Sequence, residues 1–443
     1  MSRSRHLSRR RFLGRMTAVA AGAVAAPAIV PSSAVGLGGA FAPSERITIG
    51  FIGTGDHGIN RNIRRFLPEP DCQVVAVCDV DRKRREEARK IVESHYASSK
   101  LEGNHEGCTD HNDFREIIGR KDIDAVCVST PDHWHVLPSV MAAQAGKDVM
   151  CEKPLTLTVG EGRVLADIVK KHERVFQTAS ENRSIADVYH RMCELVRNGR
   201  IGKIQTIRVG LPTGHWVKPE SLETQPMPEG FDFNMWLGPA PEADYCPARC
   251  HWNFRWIFDY SGGMLTDWGA HLIDIAQWGN DTELTGPVEV QGKGEFPDRG
   301  IYNTATEFHV ECKYENGVTL FIDSKEPSIR FEGTDGSVES NGWCGALKAS
   351  RQEILDSEIG ENEIHLYTCA AGEQRNFLDC VKSRKPCYGP AEVGHRTISI
   401  AHIGNIAMLL GRKLQWDPKR ERFVRDVAAN LMLTRQMRYP WHL

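Results

Sequence analysis

An excess of charge of either sign is missing from this chain. Its 443 residues carry 55 Lys and Arg against 58 Asp and Glu, a net charge of −3. That balance gives no reason to expect nucleic acid or an anionic membrane as a partner. A long apolar run is missing too. The most apolar stretch, Met16 to about Val30, contains Pro27 and falls short of the roughly 20 residues a membrane span needs. Zinc spacing is absent: Cys246-x3-Cys250-His251 has no second half, so no metal site is expected. The thirteen cysteines are an odd count, and some could pair in an oxidising compartment. Cys78, Cys127 and Cys151 instead fall in predicted core strands, where thiols serve as small apolar groups. No internal repeat is present.

The N-terminus reads as a leader. Ser8-Arg9-Arg10-Arg11-Phe12-Leu13 looks like a twin-arginine export motif, followed by an Ala-rich run and small-residue sites near Ala42. Residues 1–42 are therefore expected to be signal and linker, and the protein periplasmic or otherwise exported; an uncleaved basic tail is the alternative. Twin-arginine export moves folded proteins, which favours a cofactor loaded beforehand and tightly held.

From Ile47 onward, short apolar strands alternate with helical runs. This predicts a doubly wound parallel sheet over residues 43–180. Residues 99–113 read as a loop. Residues 181–412 change character and predict an α+β domain with an open, largely antiparallel sheet, including strands near 203–210, 288–294, 305–314 and 317–324. Residues 211–261, rich in Pro, Gly and Trp, should wander, and one helix should run from Met264 to Trp278. Residues 413–443 read as a surface strap.

Gly53-x-Gly55-x-x-Gly58 follows a strand and opens a helix, which is the dinucleotide fingerprint. Asp79 ends the second strand, where a carboxylate would accept the ribose hydroxyls and repel a 2′-phosphate. NAD is thus favoured, with NADP left open by nearby Arg82 and Lys83; Asp79 could also serve as a helix N-cap. Thr130, and His135 five residues on, should lie along the nicotinamide side, although His135 could be a surface group. Glu152-Lys153-Pro154 ends a later strand. Asp267 and His271 stand four apart, hence on one face of a helix. A donating lysine, a histidine that titrates near neutrality and a carboxylate to steer it suit alcohol–ketone hydride transfer. Six of ten tryptophans lie within 216–278, and Trp216 and Trp268 are the candidates for stacking on a sugar. Arg255, Asn182 and Arg183 are candidate hydroxyl binders or structural ion-pair partners.

The glycine fingerprint, Glu152-Lys153-Pro154 and Gly262-Gly263-x-x-x-Asp267-x-Gly269-x-His271-x-x-Asp274 together resemble the glucose–fructose oxidoreductase/inositol dehydrogenase (Gfo/Idh/MocA) family. Asp259-Tyr260-Ser261-Gly262-Gly263 and Pro440-Trp441 look like its exported branch. The resemblance implies a Rossmann domain, a C-terminal α/β domain that supports dimers or tetramers, bound NAD or NADP, and sugar, polyol or glycoside substrates. It makes Lys153 the catalytic lysine, Asp267 the paired acid that orients the histidine or binds a neighbouring hydroxyl, and His271 the proton-transfer histidine; Glu152 is a candidate cofactor contact. The family's glycosidase branch, which cleaves by oxidation and elimination, tends to lack this lysine, so Lys153 favours simple dehydrogenation. That cleavage chemistry and a non-catalytic dinucleotide sensor are the rival readings. Leu272 stands where many exported relatives have a second histidine.

Overall fold

Apolar runs make the first sheet. In the computed structural model, which describes residues 45–98, 107–185 and 187–443, β1 (Ile47–Ile52), β2 (Cys72–Cys78), β4 (Ala125–Val128), β5 (Asp148–Glu152) and β6 (Phe176–Ala179) are buried along nearly their whole length. Strands buried on both faces read as continuous apolar runs and belong in a parallel sheet covered by helices. With β3 (Thr109–His111) the order is β3-β2-β1-β4-β5-β6, all parallel. The order reverses between β1 and β4, which opens a crevice at their carboxyl ends. β3 lies inside the stretch expected to be loop; its three polar residues at the sheet edge carry no readable periodicity. The expected leader, residues 1–42, lies outside the described residues.

The second sheet has nine strands in the order β13-β12-β11-β7-β10-β9-β8-β14-β15. Four follow the expected positions closely: β7 (Ile204–Leu211), β8 (Glu289–Glu295), β9 (Glu307–Lys313) and β10 (Thr319–Ser324). β11 (Ser328–Gly333), β12 (Ser337–Asn341) and β13 (Leu347–Ala349) extend one edge. β14 (Leu414–Asp417) and β15 (Arg422–Phe423) extend the other, so the strap begins as strands. Pairing is antiparallel except between β7 and β10. Phe308, Val310 and Cys312 alternate along β9, and Leu320 and Ile322 along β10, to form one buried face. Helix Ala391–Leu410 packs on β8, and also on helices Gly269–Gly279 and Val159–Lys171. It thereby fixes the second sheet against the first domain.

The expected helix 264–278 is two helices, Met264–Asp267 and Gly269–Gly279, separated at Trp268. Residues 211–261 do more than wander. They build a small aromatic core that includes Phe231, Trp236 and Tyr260. They also cross back onto the first domain, where Arg82 donates its backbone N–H to Gly230 O at 2.9 Å and Asp232 donates to Val80 O at 2.9 Å.

Arg183 is a structural residue, contrary to a hydroxyl-binding role. Its guanidinium forks onto Asp274 at 2.6 and 2.7 Å and reaches Glu283 at 2.6 Å, over the face of Trp278. Burial works against its charge, and the two carboxylates outweigh that and raise its pKa. Arg183→Met leaves the buried Asp274 carboxylate without its fork. It is expected to cost about 3 kcal/mol or more in chemical denaturation; a loss under about 1 kcal/mol would contradict a structural role.

Candidate active site

The glycine turn shapes one wall of the cleft. Gly53 has φ +91°, and a Cβ there would lie 2.6 Å from the Ser129 carbonyl. A Cβ on Gly58 would lie 2.4 Å from Gly53 O, so only glycine lets the following helical turn close on β1. That turn, Gly58–Ile63, is π-helical. Gly53, Gly55, Gly58, Asp79, Thr130 and Lys153 all face a single cleft of about 370 Å³. The Thr130 hydroxyl is buried there with no partner among the described residues. These features fit a dinucleotide. Gly58→Ala is expected to weaken NAD binding roughly tenfold or more in calorimetric titration of cofactor-stripped protein; unchanged affinity would contradict this use of the turn.

Asp79 is held on the cleft wall by its own loop. One carboxylate oxygen accepts from Thr54 N at 2.8 Å and the other from Asp81 N at 2.9 Å. Burial pushes its pKa up, against these amide hydrogen bonds. Arg82, which left NADP open, turns away to Glu229 at 2.8 Å.

His135 does not reach the cleft. Its ring is buried between two carbonyls, Pro154 O and Thr130 O, each at 2.8 Å, and burial lowers its pKa. It ties the Thr130 loop to the Glu152-Lys153-Pro154 turn and so positions both. Glu152 does face the cleft and is buried. It accepts from Asn62 Nδ2 at 2.7 Å and sits 3.2 Å from His57 Nε2. Burial pushes Glu152 up, but His57 and Asn62 outweigh it and hold the carboxyl at about 2. Glu152 in turn raises His57. His57 occupies a variable position of the glycine fingerprint, and nothing in that motif marks it as a partner for Glu152.

The lysine and the acid meet. Lys153, joined to Pro154 by a cis peptide, donates from Nζ to Asp267 Oδ1 at 3.1 Å and Asp267 O at 3.3 Å. Arg255 Nε lies 3.4 Å from the same Oδ1. Burial opposes the Asp267 charge, but the two cations prevail and keep its carboxyl well below the usual range. Among the described residues Asp267 makes no hydrogen bond to His271. It steers the lysine, where the spacing had pointed to the histidine.

His271 is 5% exposed, and its buried Nδ1 has no partner among the described residues. Burial first, then the Lys153 charge, pushes its pKa well below 6.5. His271 is not among the residues lining the cleft, whereas Asp132, which the motifs did not single out, is. It accepts from Ser261 Oγ at 2.5 Å, and burial lifts its carboxyl to about 7. Asn182 is fully buried, its amide atoms have no partner among the described residues, and it is not part of the cleft wall.

Half of the clustered tryptophans are core: Trp236, Trp256 and Trp278 are each at most 4% exposed. Trp216 and Trp268 instead pack together beside the site, with ring centroids 5.6 Å apart. A tryptophan from elsewhere, Trp343, meets the His271 ring edge-on at 4.8 Å.

All thirteen cysteines are free thiols. Among the described residues no cluster of three or more His, Cys, Asp or Glu could hold a metal, and no helix is long and apolar enough to cross a membrane.

Comparison with known proteins agrees with this architecture. Levoglucosan dehydrogenase of Pseudarthrobacter phenanthrenivorans is 36% identical over 257 residues, 52% of this chain and 58% of that one. An alpha-N-acetylgalactosaminidase of Shewanella oneidensis is 29% identical over 210 residues, 45% of this chain and 44% of that one. The chain thus spans about half the length of these two relatives. The solved WlbA dehydrogenase of Chromobacterium violaceum, in complex with NADH and UDP-GlcNAcA, shares the fold with a TM-score of 0.62 at 16% identity, covering 84% of this chain and 96% of that one. Residues 47–180 match the family model for the oxidoreductase NAD-binding Rossmann fold, and residues 187–443 match that for the oxidoreductase C-terminal alpha/beta domain. The chain belongs to the Gfo/Idh/MocA oxidoreductase family.

Proposed function

We propose that this oxidoreductase oxidises a hydroxyl of a sugar, polyol or glycoside. The observation that carries the reading is the convergence of Lys153, Asp267 and Arg255 at the cleft, with His271 within electrostatic reach. NAD, held by the Gly53–Gly58 turn and Asp79, supplies a hydride acceptor.

The chain's own groups divide the remaining work. Lys153 has three N–H donors, and Asp267 engages two of them. The third is free to donate to a substrate oxygen and to stabilise alkoxide charge as it develops. Two cations share the Asp267 carboxylate, so this cluster of three side chains carries one net positive charge beside Lys153 Nζ. His271 is neutral at pH 7, so it can take the hydroxyl proton. The ring proton it gains returns to water when the ketone leaves.

A relative named as a dehydrogenase of levoglucosan, an anhydrosugar, supports a sugar substrate. The relative named as a glycosidase keeps oxidation–elimination as the second reading, and Lys153 is the residue that argues against it. The Arg9-Arg10 leader supports export of the folded, cofactor-loaded protein.

The test is direct. Purified protein is denatured and the released dinucleotide identified; NAD-loaded protein is then screened with sugars for the reduced-nicotinamide absorbance. NAD release and a sugar-dependent rise are expected. Release of an aglycone with no net reduction favours the glycosidase. NAD release with no response to any sugar or glycoside sinks the enzymatic reading.

A further inference from the structure

A row of indoles runs outward from His271. Trp343 lies in the turn between β12 and β13, far in sequence from every motif. Its ring stands at 87° to the His271 imidazole and packs on Trp268 at 5.1 Å. Trp268 in turn packs on Trp216. The Trp216 carbonyl accepts from Trp252 Nε1 at 2.6 Å, and Trp252 faces the cleft. Lys218 Nζ and the Arg255 guanidinium both lie over the Trp252 ring, at 4.7 and 4.6 Å.

The row is partly bare. Trp343 is 36% exposed and Trp216 46%. Exposed indoles, with two cations over the adjoining Trp252 ring, have the chemistry of a carbohydrate surface. The C–H face of a pyranose stacks on the ring, and its hydroxyls meet the charged donors. A purely apolar occupant would desolvate the Lys218 ammonium without pairing it. A ring positioned for oxidation must reach Lys153 and His271, which places it against Trp343 and Trp268. Trp216 is one indole further out and serves no reacting group.

We propose that Trp343, Trp268 and Trp216 form a subsite for a second pyranose joined to the one oxidised, so that a disaccharide or glycoside is preferred over the free monosaccharide. This rests on the dehydrogenase reading and narrows its substrate class. Trp216 sets specificity for the outer ring, and Trp343 packs between that ring and His271.

Calorimetric titration of the NAD-loaded protein tests it, with cellobiose against glucose and lactose against galactose as probes. At least one disaccharide is expected to bind roughly tenfold tighter than its monosaccharide. Trp216→Ala should collapse that ratio, and Trp216→Tyr, which keeps an aromatic face, should restore most of it. An unchanged ratio in Trp216→Ala, or no disaccharide preference in wild type, overturns the subsite. Nicotinamide absorbance in the same samples separates the two ideas. A Trp216-dependent preference without reduction keeps the subsite and counts against the dehydrogenase reading for the sugar bound there. Reduction without a preference does the reverse.

Discussion

Lys153→Ala is expected to lower turnover by about three orders of magnitude and to leave NAD bound. Two losses add to that figure. The donor to the substrate oxygen disappears, and removing one such preorganised donor typically costs about a hundredfold to a thousandfold. Asp267 also loses its closer cation and keeps only Arg255 at 3.4 Å, so a carboxylate now faces the oxygen that must become negative. Lys153→Arg keeps the charge but replaces a compact ammonium with a planar fork, and should recover only a small part of the rate. The measurements are steady-state kinetics on the best sugar from the screen, with released NAD quantified for each variant. Wild-type-like turnover by Lys153→Ala would remove the lysine from the mechanism.

His271→Asn should lower kcat by roughly a hundredfold or more, the usual worth of a well-placed base. The pH profile adds a sign. His271 lies well below 6.5 because burial and the Lys153 charge both disfavour its protonated form. A base must be neutral to act, so the acid limb that His271 sets should fall below pH 6.5, apart from any limb near 7 contributed by Asp132. Removing the lysine charge relieves part of that pressure. The residual activity of Lys153→Met should therefore show its acid limb displaced upward. A limb at the same pH in both proteins would show that His271 is not the titrating group.

The parallel sheet was legible because β1, β2, β4 and β5 are apolar along both faces and the glycine fingerprint sits where the first strand must turn. Lys153 and Asp267 were legible as members of motifs, yet their pairing was not. Helical spacing directed Asp267 toward His271, while the break at Trp268 and the fold of β5 bring it to the lysine. Arg183 and His135 look functional beside their motifs. Burial decides otherwise, since each has its polar atoms consumed by neighbours from distant segments. Trp343 had no signal at all. A lone tryptophan in a polar turn has no periodicity, and only the closing of the β12–β13 hairpin carries it to His271. The short strands β11 to β13 were hidden for a related reason: their turns interrupt the alternation before it can be read.

Deuterium transfer is the most direct measurement. NAD-loaded protein is given a panel of sugars and glycosides deuterated at every carbon-bound position, and the dinucleotide is released by denaturation and weighed. If Lys153 and His271 drive oxidation at this cleft, the reduced nicotinamide carries one deuterium, and Lys153→Ala protein shows about a thousandfold slower incorporation. Nicotinamide that never acquires deuterium from any of them would contradict hydride transfer by this chain.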